Sequence, residues 1–164
     1  MNDASTETRA ERAMRLISTR PRAGCSQLLG LVPLAFDPEA GTARIGYTAK
    51  PEFCNPMGVV QGGFLTAMID EAMALAVVSA ADFTIYVPTL ELKVSFLNSG
   101  WPGPMVAEGR VVRLGTSIAF LEGKLFNGKD ELIATATATA KVIPRARIDA
   151  ARKARGETAP GLPE

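Results

Sequence analysis

Residues 63–81, GFLTAMIDEAMALAVVSAA, are nearly all apolar, rich in helix formers and free of proline. A helix that is apolar all round belongs in a core. Asp70 and Glu71 interrupt the run in its middle, so it reads as a core helix and not as a membrane span. The fold is what this helix can be buried against. Four strand-like runs follow it: 89–98, 104–114, 117–126 and 132–143. Leu90, Leu92, Val94 and Phe96 alternate with Glu91, Lys93 and Ser95 in the first. In the last, Ala134, Ala136, Ala138 and Ala140 alternate with Thr135, Thr137, Thr139 and Lys141. A buried row of alanines lets a helix lie close to a sheet. Asn127-Gly128-Lys129-Asp130 and Gly115-Thr116 are the turns between strands.

Upstream, residues 26–36 and 43–49 read as a hairpin around Asp37-Pro38-Glu39-Ala40-Gly41-Thr42. Pro33 marks an edge strand or a bulge. Residues 4–19 read as a peripheral amphipathic helix through Ala10, Ala13, Met14 and Ile17. The expected organisation is an N-terminal arm over 1–22, one domain over 23–144, and a loose or short helical tail over 145–164. The fold class is α+β, one antiparallel sheet wrapped around one long central helix. One helix leaves the other face or the edges of such a sheet open, which favours dimerisation.

The chain has 164 residues, a net charge of +1, two cysteines and no histidine. The absence of histidine excludes Ser-His-Asp and Cys-His catalysis and His-ligated zinc. Cys25 and Cys54 form no CxxC motif, and no metal site is expected. Without a signal peptide they read as reduced thiols in the cytoplasm. Each end carries five basic residues against three acids, without interleaved aromatics, so neither a nucleic-acid nor a membrane partner is expected. Chemistry is left to carboxylates, amides, hydroxyls and backbone N–H groups.

Such groups gather in residues 55–71, NPMGVVQGGFLTAMIDE. Gly62 and Gly63 stand where the helix begins, in place of a Ser, Thr or Asp cap. Bare N–H donors there can hold a carbonyl oxygen as it becomes an oxyanion, each worth roughly 3 kcal/mol in the transition state. Asp70 lies about two turns beyond Gly63 on the same face, with Thr66 between. Asp70 and Glu71 diverge by about 100° around the helix. A carboxylate in so apolar a helix needs a partner, a cleft or a proton, and desolvation raises its pKa. General-base chemistry and pairing within a subunit interface both remain open for it.

The segment resembles the hotdog-fold acyl-CoA thioesterases, in particular the phenylacetate-pathway (PaaI-like) type. Their hallmark is an Asn, a Gly shortly after it, a His-Gly-Gly, and an acid nine positions beyond the His. Asn55, Gly58, Gln61-Gly62-Gly63 and Asp70 stand at those places. Val87–Leu97 resembles the family's strand after the helix and Arg113–Phe120 its later hairpin. The resemblance covers roughly residues 25–143. It implies Asp70 as general base or nucleophile, Gly62 and Gly63 as oxyanion donors, Asn55 as an orienting amide, and Thr89 as a hydroxyl that places water. Thr66, Arg113 and Thr116 are the expected substrate contacts, and coenzyme A enters only as part of the substrate. A homodimer, paired into a tetramer, with a site shared between subunits, is also implied. The family's His is Gln61 here, which donates a hydrogen bond but carries no proton at neutral pH. The implied reaction is hydrolysis of an acyl-CoA with a medium-chain or aryl acyl group. The alternative is an acyl-CoA or acyl-carrier binding protein without turnover.

Overall fold

The computed structural model describes residues 7–156. Helix α1 (Arg9–Thr19) opens on a capping box, with Thr8 and Glu11 satisfying each other's backbone donors. The stretch 4–6 of the expected helix lies outside the described residues. The short helix α2 (Gly24–Leu29) follows, so the start of the expected 26–36 strand is helical. Gly30 explains the difference. It sits at φ 69°, and the Leu31 N–H reaches back to the Ser26 carbonyl at 3.0 Å, which is a Schellman ending. Strand β1 is therefore only Val32–Asp37, and β2 is Thr42–Ala49.

A turn of 3-10 helix (Pro51–Phe53) leads to the core helix α3 (Gly62–Ala80). Then come β3 (Ile85–Tyr86), β4 (Thr89–Phe96), β5 (Gly103–Leu114), β6 (Ile118–Asn127), β7 (Leu132–Lys141) and β8 (Ile143–Pro144). The tail begins as a ten-residue helix, α4 (Arg145–Ala154), none of whose residues is buried. The six long strands form one antiparallel sheet ordered β1-β2-β5-β6-β7-β4, and β3 pairs with β8 apart from it. The sheet wraps α3, as expected for a hotdog fold.

By length and composition α3 could cross a membrane. In the fold it packs on the sheet instead, with Leu65, Met68, Ile69, Ala72, Met73, Ala76 and Val77 buried. The alanines of β7 are buried as anticipated, but the helix comes closest elsewhere. A Cβ on Gly109 of β5 would lie 2.3 Å from the Ala72 carbonyl oxygen. One on Gly123 of β6 would lie 2.4 Å from Ile69. At Gly109 strand backbone meets helix backbone, so a side chain does not fit there, while Gly123 lies against the Ile69 and Met73 side chains. The opposite side of α3, through Gly63, Ala67 and Asp70, is left partly open.

The two sheet edges differ. Along β1 the ladder with β2 is broken by a bulge between Pro33 and Ala35, and α1 packs against the strand. Along β4 the ladder is regular from Glu91 to Phe96, and Leu90 is 60% and Phe96 50% exposed.

Candidate active site

The loop before α3 is closed by a bridge between Cys54 and Val60 and by a turn at Gly58, where φ is +79°. The Asn55 side-chain oxygen accepts the Met57 N–H at 2.9 Å, which holds the loop in an Asx turn. Among the described residues the Asn55 amide nitrogen has no hydrogen-bond partner.

The helix does have a side-chain cap, and it is Gln61. Its Oε1 accepts the Gly63 N–H at 2.7 Å, so the expectation of a bare Gly-Gly start needs correction. Gln is not a usual cap residue, which is why the pattern did not show it. The two glycines answer to their own chain. A Cβ on Gly62 would meet the Phe96 ring at 2.9 Å, and one on Gly63 would meet Gln61 Oε1 at 2.7 Å. The Gly62 N–H has no hydrogen-bond partner among the described residues and stays available.

Asp70 sits on the open side of α3, half-buried. Thr89, the first residue of β4, donates its hydroxyl to Asp70 Oδ1 at 2.8 Å. The β4–β7 ladder shifts register between Thr89 and Glu91, so Leu90 bulges beside the contact. Bulges of this kind re-aim a side chain next to a site. One hydrogen bond fixes the carboxylate and leaves its second oxygen open to water. Thr66, one turn before Asp70, is half-buried on the same side of the helix.

Arg113 and Thr116 are not brought to this point. Thr89 pairs with Ala140, Ala140 with Ala119, and Ala119 with Leu114. The β5–β6 turn therefore lies at the same end of the sheet as Thr89, but three strand spacings away, about 14 Å. Asp70 and the helix start are also apart, since seven residues of helix span about 10 Å.

The second acid has a different environment. Glu71 Oε1 accepts a short hydrogen bond from Ser26 of α2, so its partner is in its own chain. The Tyr47 phenol faces it from β2, but neither Tyr47 Oη nor Glu71 Oε2 makes a bond of good geometry, and both are buried. Burial pushes the Glu71 carboxyl above the usual carboxylate range, and the neighbouring Asp70 adds to this. Burial likewise raises the Tyr47 phenol well above its ordinary value. The α2 contact was hidden because α2 itself was read as strand. Both cysteines are free thiols, and among the described residues no three His, Cys, Asp or Glu side chains cluster as a metal would require.

Comparison with known proteins identifies the family. The family profile described as the thioesterase superfamily matches residues 57–134, which include the helix start, Asp70 and Thr89. A crystal structure from Ralstonia eutropha JMP134, of a candidate thioesterase described as phenylacetic acid degradation-related, is 35% identical. The likeness covers 79% of this chain and 98% of that one, with a TM-score of 0.74. A candidate esterase of Saccharolobus solfataricus is 36% identical over 84 residues, 51% of this chain. That match spans 59% of the relative's own length. A Streptococcus mutans protein solved with acetyl-CoA bound shares the fold at 22% identity and a TM-score of 0.63, over 70% of this chain and 89% of its own. By its likeness to the Ralstonia protein, over nearly all of that protein's length, and by the matching family profile, the chain belongs to the thioesterase superfamily.

Proposed function

We propose that the protein is an acyl-CoA thioesterase, cleaving an acyl-CoA with a medium-chain or aryl acyl group to the free acid and CoA. The observation that carries this reading is the Thr89–Asp70 hydrogen bond on the open side of α3. It supplies a fixed carboxylate with one free oxygen, without any histidine. Acting as general base, Asp70 takes a proton from water as the water oxygen bonds to the thioester carbon. The carbonyl oxygen gains negative charge and is held by the N–H groups of a helix start. The tetrahedral intermediate then expels the CoA thiolate, which takes up a proton. Asp70 attacking directly as a nucleophile would use the same geometry.

About 10 Å of helix separates Asp70 from the Gly62 and Gly63 N–H groups of its own chain. One carbonyl cannot touch both. A second copy across the β4 edge resolves this, with Asp70 of one copy facing the helix start of the other. The exposed Leu90 and Phe96 on that edge support a homodimer, which can pair again into a tetramer. In this arrangement Asn55 orients the carbonyl or the water, and Gln61 caps the helix start while its amide nitrogen donates. Small residues at Ala67, Ala74 and Ala80 leave room for the acyl group. The free thiols of Cys25 and Cys54 fit a reducing, cytoplasmic compartment.

A second reading is binding without turnover. The occupied Gly63 N–H favours it, because that donor must be released before it can hold an oxyanion. Free-thiol release from a panel of short, medium, long and aryl acyl-CoAs decides between the two. Turnover by the wild type, reduced at least about a thousandfold in Asp70→Asn, is the expected result. Acyl-CoAs that raise the melting temperature but release no thiol would establish the binding reading.

A further inference from the structure

The C-terminal end of α1, the connection after α3 and the start of α4 meet at one place, and arginines converge there. Arg20 follows α1 directly, and its guanidinium lies 5.1 Å from the centre of the Phe83 ring. Its Nε is buried and has no hydrogen-bond partner. The next residue after Phe83 is Thr84, whose carbonyl accepts the backbone N–H of Arg145 at 2.8 Å. This bond brings the start of α4 to the residue beside Phe83, near enough for the Arg145 and Arg20 charges to repel each other. Arg12, about two turns earlier on α1, is near enough for its charge to act on Arg20. Arg152 of α4 stands 5.8 Å over the Tyr86 ring.

The charges in this corner do not balance. Asp149 accepts from both Arg145 Nε and the Tyr86 hydroxyl, each at 3.3 Å. Arg15 is engaged by Glu7 at 2.7 Å. Among the described residues no carboxylate reaches Arg20. Burial lowers the readiness of Arg20 to stay charged, and Arg145 and Arg12 act in the same direction. Arg145 also opens α4, whose first turn has no side-chain cap and adds positive potential. An anion nearby would favour a stacked, part-buried guanidinium held among like charges, and guanidinium groups match phosphate oxygens in geometry.

We propose that Arg20, Arg145 and Arg12 form a binding site for a phosphate-bearing ligand. Two sources fit this chemistry. One is the phosphate-bearing end of the CoA substrate, which rests on the thioesterase reading. Tyr86 is three residues from Thr89, at most about 10 Å of chain, so the two sites are neighbours. The other is a separate phosphorylated effector, which does not need that reading.

The test is calorimetric titration of the intact protein with pyrophosphate, repeated for R20Q, R145Q and R12Q. The wild type binds, binding weakens with added salt, and each variant weakens it about tenfold. R145Q and R12Q leave the Phe83 stack untouched, so a folding defect in R20Q does not blunt the test. No binding by the wild type, or equal binding by all four proteins, overturns the proposal. Kinetics then separate the sources. If the CoA end sits here, R145Q raises KM for an acyl-CoA about tenfold at constant kcat, with no change for the same acyl group on N-acetylcysteamine. Unchanged kinetics with both thioesters, alongside lost pyrophosphate binding, assigns the site to a separate effector. If no thioester turns over at all, the thioesterase reading falls alone and the titration still decides the site.

Discussion

The two edges of the sheet carry similar side chains and different backbones. Val32 and Leu34 on β1 are 50% and 45% exposed, much like Leu90 and Phe96 on β4. On β1, however, Pro33 has no N–H to give and the strand is bulged in its middle. On β4 the backbone edge is straight from Glu91 to Phe96, and its only irregularity sits beside Thr89. Apolar exposure alone therefore does not mark an interface. What separates the edges is whether the backbone can accept another strand, and the edge that can is the one holding the Thr89–Asp70 contact.

This contrast can be broken by charge. If the proposed dimer forms across β4, Leu90→Glu should split it and remove at least about nine-tenths of the turnover, because the proposed site takes parts from both copies. Sedimentation velocity and thiol release check the two effects. Val32→Glu on β1 should change neither. If both edges respond alike, the distinction drawn here is wrong.

Thr89→Val sharpens the contrast from within. It removes the hydroxyl that fixes Asp70 and keeps the β-branched shape. A fall of about tenfold to a hundredfold in kcat is expected, with KM and assembly retained. Unchanged kcat would mean that Asp70 is positioned by something else.

The smallest effect is expected at Glu71. Its carboxyl is raised by burial, so the proton it holds in the folded state favours folding at low pH. That contribution is present below the ordinary carboxylate value and is lost as pH rises through the folded value. Glu71→Gln keeps the shape without the titration. Its melting temperature should fall less than the wild type's between pH 5 and pH 8, by a few degrees at most. Identical pH profiles would show that Glu71 ionises freely.

Much of this site was legible in the residues before any coordinates. An acid seven positions after a Gly-Gly, inside an otherwise apolar run, reads as a residue in the middle of a core helix, on the face of its start and about two turns beyond it. Thr89, however, came from family resemblance, because nothing in the spacing brings residue 89 to residue 70. That contact is made by the β4 bulge, a tertiary feature. The Gln61 cap was missed because a Gln there carries no propensity signal. Helix α2 was missed because Leu28 and Leu29 read equally well as strand, and the decisive Gly30 stop needs φ to be known. With α2 went the Ser26–Glu71 bond, so the two acids could not be told apart by environment.

The central claim is a hydrolytic centre assembled from two copies, with Asp70 from one and the helix start from the other. Subunit mixing tests it directly. Asp70→Asn removes the carboxylate, and Gly63→Asp fills the helix start with an anion that the helix N-terminus tolerates. Each variant alone should be inactive. Unfolded and refolded together, they should form hybrids in which one of the two sites has both parts intact, restoring about a quarter of wild-type thiol release. A mixture that stays as inactive as its parents would contradict a shared site.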